Sequence, residues 1–362
     1  MARQVEKEKF ERRLDLEGIW MLELDKKNVE FLITENLADE VKFLLTEKEN
    51  EVDNIVQEMV KRKINRVYFV ACGSPLCACQ TAQILFDRYS NIIAKSYSGY
   101  DFLDQTPFVI NDQTLVIGVS DSGTTEEVYK SIELARQKGA MTVGFSKDGT
   151  GVPLGDSAEF AIGYEGHAIW QMHLYLNYLV ACKYIQAVEG ENEELSLIVK
   201  QLHELPAVLR TLVQNQEDHA KQLGIKASKY PFIYTVSAGN LLPLAYKEGI
   251  ITMLEFTWTH GSHINAAEFR HGPLEVVEPG VPYVFMLGND ESRKTVERAL
   301  SFVKRYTDDV IIFDVNDLGV DVHPMITPLV LFVPLEYFYY YLSIAKDHNP
   351  DDRRYYGGKV KY

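Results

Sequence analysis

A short apolar run that closes on a small-residue turn and reopens as a helix occurs in this chain. It then recurs in the same order roughly 166 to 168 residues later. Arg66–Ala71 (RVYFVA) leads into Cys72, Gly73, Ser74 and Pro75, and Thr114–Val119 (TLVIGV) leads into Ser120, Asp121, Ser122, Gly123, Thr124 and Thr125. Both turns are followed by helical patterns, and 141–145 supplies a third run. In the second half 232–237 (FIYTVS) leads into Ala238, Gly239 and Asn240, 282–287 (PYVFML) leads into 288–295, and 310–313 answers 141–145. Continuous apolar runs alternating with helices are the mark of parallel strands buried on both faces. Their recurrence predicts an α/β protein built by internal duplication, its two domains related by a pseudo-twofold. The 362 residues are enough for two cores. The expected division is a charged arm (1–30), a first α/β domain (31–190), linking helices (191–230) broken at Gly190 and Pro206, a second domain (231–345) and a polar tail (346–362).

The two copies diverge at the turn after the second strand. The first reads SDSGTTEE, with four hydroxyl residues among six, directly after a buried run and ahead of a helix. Hydroxyls and free N–H groups at the positive end of a helix dipole are how an uncharged loop holds phosphate. An ordinary N-cap needs only one of those hydroxyls. The second copy reads GNDESRKT, with fewer hydroxyls and added cations, so one phosphate loop is expected. No glycine-rich nucleotide fingerprint follows any of these strands, which argues against a nucleotide cofactor.

The stretch 248–278 (EGIITMLEFTWTHGSHINAAEFRHGPLEVVE) reads as a helix, an irregular crossing and a turn. Ile250, Met253, Leu254, Thr257 and Trp258 repeat at helical spacing and are expected to face the core. Glu248, Thr252, Glu255 and Thr259 form the adjoining stripe, and His271 sits in a turn pinned by Gly272 and Pro273. A helical carboxylate with a turn-held imidazole can serve proton transfer. On spacing alone the blander reading, a solvated glutamate and a satisfied histidine, is favoured. His260 and His263 could resemble a metal pair, but no carboxylate or cysteine completes a zinc set at the usual spacing, so no metal is expected.

With 37 basic and 52 acidic residues the formal charge is −15, which disfavours nucleic acid and anionic membranes as partners. Of the four cysteines, Cys72, Cys77, Cys79 and Cys182, three lie within eight residues on an expected turn and helix. They read as buried thiols of a reducing cytoplasm. The charged start carries no signal-peptide core, and the apolar run 328–345 is interrupted by Pro334 and Glu336, short of a membrane span.

Taken together, CGSP, SDSGTTEE, the duplicated plan, the helical Glu255 and the EFRHGPLE turn resemble the sugar isomerase (SIS) domain family over roughly residues 35 to 362. YKEGIITMLEFTWTHG, EFRHGPLEVVEPGVP, LGNDESR and KDHNPDDRRYYGG are more closely similar to the fructosamine 6-phosphate deglycases, nearest the fructoselysine 6-phosphate type. The resemblance implies two tandem SIS domains, each with a five-stranded parallel sheet, and a homodimer with its active site at the interface. It also implies a sugar phosphate held on Ser74, Ser120, Ser122 and Thr125, with Gly73 and Thr124 beside them, and no cofactor. By the same resemblance Glu255 shuttles a proton between C1 and C2, and His271 from the neighbouring subunit acts at the ring oxygen. For that role partial burial beside Phe256 and Trp258 is expected to raise the pKa of Glu255. No cysteine precedes Cys72, so the chain lacks the amidase nucleophile of the glutamine-dependent members, and Gly358 stands where the synthases carry a Schiff-base lysine, with Lys359 one residue late. Both departures fit a substrate that already bears an amine. Arg353, Arg354, Tyr355 and Tyr356 would face its amino acid end, and Gly357 and Gly358 would lend the tail hinge freedom. The alternatives are an aminosugar phosphate isomerase-deaminase, a deglycase for another amino acid or a glucosyl-amine, and a non-catalytic sugar-phosphate sensor.

Overall fold

The computed structural model describes residues 12–14, 20–33, 35–355 and 359–361. Tyr356, Gly357 and Gly358, and much of the charged arm, lie outside them. Five parallel strands form the first sheet: β1 (Arg66–Ala71), β2 (Ile93–Tyr97), β3 (Thr114–Val119), β4 (Met141–Ser146) and β5 (Phe160–Gly163). Their order is β2-β1-β3-β4-β5. Every residue of β3 and β4 is buried, which is why those strands read as unbroken apolar runs.

The second sheet contains β6 (Phe232–Ser237), β7 (His260–Asn265), β8 (Tyr283–Leu287) and β9 (Val310–Asp314) in the order β9-β8-β6-β7, again all parallel. It repeats the first sheet strand for strand up to the fourth. Among the described residues it has four strands where five were expected. β9 alternates buried and half-buried residues, as an edge strand does, whereas its counterpart β4 is buried throughout. After Asp314 the chain turns through a 3₁₀ segment, Val315–Leu318, and leaves the sheet for a long helix.

Between the sheets lie two helices with little polar face. Ile169–Glu189 is buried along most of its length, and Thr327–Ala345 is buried on all sides. Pro334 and Glu336 do not interrupt the second of these, contrary to the sequence expectation. The stretch 324–345 is long and apolar enough to cross a membrane, but it is wholly enclosed by protein. Pro206 likewise sits inside one continuous helix, Glu193–Asn215. Buried residues of both sheets, Phe69 and Ile117 from the first and Val284 and Ile311 from the second, belong to one core that runs through these helices.

Candidate active site

β1 and β3 are neighbours in register, with Ala71 opposite Val119, and the chain leaves them in opposite directions along the sheet. The crevice at their carboxyl ends is the switch point at which open α/β sheets bind ligands. Ser74 opens the helix Ser74–Tyr89 there, after Gly73 turns the chain with φ 65. The loop of Ser120, Ser122, Thr124 and Thr125 stands beside it, with Gly123 at φ 64 packed on Val152. All six expected phosphate ligands are therefore gathered at one crevice.

Within the loop Ser120 Oγ and Thr125 Oγ1 are 2.8 Å apart, as are Ser122 Oγ and Thr124 Oγ1. Thr125 occupies the N-cap of the helix Glu126–Gln137 but makes no side-chain cap bond. The N-cap explanation thus fails for its hydroxyl; the Val128 N–H bonds back to the Thr125 carbonyl at 3.1 Å, which leaves the N–H groups of Glu126 and Glu127 to face an anion.

An acid, Asp121, sits inside this anion loop. Its carboxylate accepts a short hydrogen bond from Tyr164, whose oxygen is 3.0 Å from His173 Nε2. Burial pushes the Asp121 carboxyl above its ordinary range, opposed by the Tyr164 hydrogen bond and by Lys147. His173 is completely buried and pushed down to about 3, hence neutral. Since the Tyr164 hydroxyl gives its one proton to Asp121, its oxygen is left to accept from the Nε2–H tautomer of His173. The chain His173 to Tyr164 to Asp121 ties the loop to the core. Tyr164→Phe removes the donor from a partly buried carboxylate. It is expected to cost about 1–3 kcal/mol in stability and to raise KM for a sugar phosphate about 10-fold with kcat little changed. Urea unfolding and steady-state kinetics on the same preparation check both parts.

The equivalent crevice of the second sheet is closed from within. Asp290 accepts from the backbone N–H of Asn240 at 3.0 Å and of Ser292 at 3.0 Å, and from the Ser292 hydroxyl at 2.5 Å. A carboxylate of the chain itself occupies the donors an anion would use. The cation Arg293 is taken up by Asp314, through two nitrogens at 2.8 and 2.6 Å.

Glu255 lies on a segment that follows β6. The segment runs as a 3₁₀ turn (Gly239–Leu241), an α turn (Leu242–Tyr246), a π turn (Lys247–Thr252) and a last α turn (Met253–Phe256). The π turn inserts a register shift, so the face expected from regular spacing is not the face that is buried. Met253 and Thr257 are buried, but Leu254 and Trp258 are exposed at 42% and 36%. From the stripe expected to be polar, Glu248, Thr252 and Thr259 go inside. Lys247 Nζ donates to Glu248 at 2.8 Å and to Thr252 Oγ1 at 3.2 Å, beneath the ring of Phe332. Glu336 completes this buried group, its carboxyl pushed up to about 8, chiefly by burial and further by Glu248, with Lys247 opposing.

The Glu255 side chain is 32% exposed and accepts from Arg353 Nε at 3.0 Å. That is the partial burial expected of it, and the tail adds a cation beside the carboxylate. Arg353 lies over Phe256 at 4.1 Å and Arg354 over Trp258 at 3.9 Å. The tail is thus brought to the site, and Lys359 Nζ holds it by a 2.7 Å bond to the Arg353 carbonyl. His271 is exposed, its backbone N–H bonded to Glu268 O at 2.9 Å, and no bond joins its side chain to Glu255 in the same chain. Glu268 and Glu275 are exposed as well.

His260 and His263 fall on the edge strand β7, where residues three apart point to opposite faces, a placement unsuited to a shared metal. His263 packs on Tyr246, and burial pushes its imidazole below the ordinary range. The cysteines are free thiols: Cys77, Cys79 and Cys182 are buried, and burial pushes Cys77 up to about 12.

Comparison with known proteins places this geometry. The SIS domain profile matches residues 61–174. Fructoselysine 6-phosphate deglycase of Escherichia coli K12 is 53% identical over 94% of this chain and 100% of its own length. Fructosamine deglycase FrlB of Bacillus subtilis is 32% identical over 86% of this chain and 97% of its own. The C-terminal domain of glucosamine-fructose-6-phosphate aminotransferase from Francisella tularensis superposes with a TM-score of 0.75 at 16% identity. That superposition covers 89% of this chain and 96% of the other, and it shows a shared fold.

Proposed function

We propose that this enzyme, which belongs to the SIS-domain family of fructoselysine 6-phosphate deglycases, cleaves fructoselysine 6-phosphate or a similar fructosamine 6-phosphate with water to glucose 6-phosphate and the free amino acid. The observation that carries the reading is the match to the E. coli deglycase along that protein's whole length. The hydroxyl loop at the switch point supports it, since it offers a phosphate its donors in a chain of net charge −15.

In this reading the phosphate rests on Ser74, Ser120, Ser122 and Thr125, with the backbone of Gly73 and Thr124. His271 moves a proton at the ring oxygen and opens the ring. Glu255 then takes a proton from C1, giving a 1,2-enaminol, and returns it to C2, leaving an imine at C1. Water adds to C1 and the amine departs, so the carbon skeleton leaves as the aldose. Arg353 donates to the Glu255 carboxylate and holds it in position. The reading takes the working unit as a homodimer of shared sites, in which a second copy receives His271; the exposure of that residue supports it. The reading expects the enzyme to work in the cytoplasm.

The test is to incubate the purified chain with fructoselysine 6-phosphate and assay glucose 6-phosphate, lysine and ammonia. Equimolar glucose 6-phosphate and lysine is the expected result. Ammonia released from an aminosugar phosphate, with no lysine from the adduct, would transfer the same residues to an isomerase-deaminase.

A further inference from the structure

Two arginines of the tail stack on two aromatic residues that flank the Glu255 turn, but only one of them is occupied. Arg353 donates through Nε to Glu255 and through Nη1 to the carbonyls of Pro350 at 2.5 Å and Asp352 at 3.1 Å. It is a structural clamp on the base. Arg354 has no carboxylate partner among the described residues, although the chain carries 52 acidic residues against 37 basic ones. Its guanidinium carbon lies 3.9 Å from the ring centre of Trp258. Stacked in that way the plane is fixed while its edge N–H groups point sideways, which is the arrangement that receives a carboxylate through two parallel hydrogen bonds.

Trp258 itself is held in an unusual state. Its φ is 50, a conformation rare for a bulky side chain, and the ring of His348 lies 4.0 Å from its own. His348 is pushed down to about 4, by burial first and then by Arg353 and Arg354, so it is a neutral support. Among the described residues the guanidinium of Arg354 is the one charge laid on this ring.

We propose that Arg354, laid on Trp258, binds the carboxylate of the amino acid joined to the sugar and so selects amino acid adducts over adducts of amines without a carboxylate. The inference rests on the deglycase reading and adds the determinant of its amine side. Glu255 acts at C1 and C2, and the amine leaves from C1. In an adduct through the lysine side chain, six bonds separate that nitrogen from the carboxylate carbon, roughly 7 Å when extended. Trp258 follows Glu255 by three residues, and the Arg354 laid on its ring is next in the chain to Arg353, which holds Glu255. Arg353 is the lesser candidate, because its Nε and Nη1 already hold Glu255 and the tail backbone.

The test compares kcat/KM of the full chain on fructoselysine 6-phosphate and on the fructose 6-phosphate adduct of 1,5-diaminopentane, which is lysine without its carboxylate. The wild-type ratio is expected to be about 10 to 100. Arg354→Gln is expected to bring it toward one, and Arg354→Lys, which keeps the charge and loses the fork, to retain part of it. A wild-type ratio near one with both amines released overturns the role of Arg354 and leaves the deglycase reading standing. A proportional loss on both substrates in Arg354→Gln, with the ratio kept, also overturns it. Release of amine from neither substrate by the wild type overturns the deglycase reading, and this inference with it.

Discussion

Glu255→Gln is expected to lower kcat for cleavage of a fructosamine 6-phosphate by about 10²- to 10⁴-fold, with KM changed only a few-fold. Gln keeps the shape of the side chain, and its carbonyl oxygen can still accept the 3.0 Å bond from Arg353. The clamp and the fold should therefore survive, and what is removed is the ability to take a proton from C1. His271→Asn should cause a loss of the same order, since it sits in an exposed turn that the described fold does not use for packing. The pair also tests the shared site. If Glu255 of one subunit works with His271 of the other, mixing the two inactive variants restores one intact site in each mixed dimer, about a quarter of wild-type activity when subunits exchange freely. No recovery after verified subunit exchange would place both groups in one chain. An unchanged kcat in Glu255→Gln would remove this residue from the chemistry.

What the sequence made legible follows from where each strand sits. β1, β3, β4, β6, β8 and β9 are apolar runs, and each was readable from composition and spacing alone. Of the strands in the two parallel sheets, those that were missed, β2 (IAKSY), β5 (FAIG) and β7 (HGSHIN), all lie at sheet edges; the antiparallel pair Arg12–Leu14 and Trp20–Leu22 in the charged arm was missed as well. An edge strand is covered on fewer sides, so it need not be apolar, and a polar segment such as HGSHIN carries no strand signal. The phosphate loop was legible because its hydroxyls are contiguous. The surroundings of Glu255 were not, because Arg353 is 98 residues away along the chain and a π turn just ahead of Glu255 shifts the helical register. Lys247 and Glu336 were hidden for a related reason. A charged residue in a sequence reads as solvent-facing, and only the fold shows that these two meet Glu248 in the interior.

Lys247→Met is expected to destabilise the protein by about 3–5 kcal/mol near pH 8, a large part of the stability of an ordinary domain. Lys247 is 6% exposed, Glu248 1% and Glu336 4%, so none of the three can turn to water when a partner is lost. With the ammonium gone, Glu248 is a buried carboxylate beside a second one, and the loss comes from that stranded charge rather than from the attraction removed. The pH dependence identifies the cause. Glu336 holds its proton up to about pH 8 in the folded state, against an ordinary value near 4.5, so the folded chain binds a proton that the unfolded chain has released. This contribution is fully present below about pH 4.5, falls by up to about 1.4 kcal/mol per pH unit as pH rises toward 8, and is gone above it. Glu336→Gln keeps the neutral form at every pH, so its stability should lack that fall and overtake the wild type by pH 9. Lys247→Met should carry the fall to higher pH than the wild type, because Lys247 no longer opposes the rise of the Glu336 carboxyl. Urea unfolding at pH 5, 7 and 9 separates the three proteins. A Lys247→Met loss under 1 kcal/mol at pH 8, or a Glu336→Gln curve parallel to the wild type, would mean that water reaches this group. In that case the π turn that presents Glu255 would be held by its backbone alone.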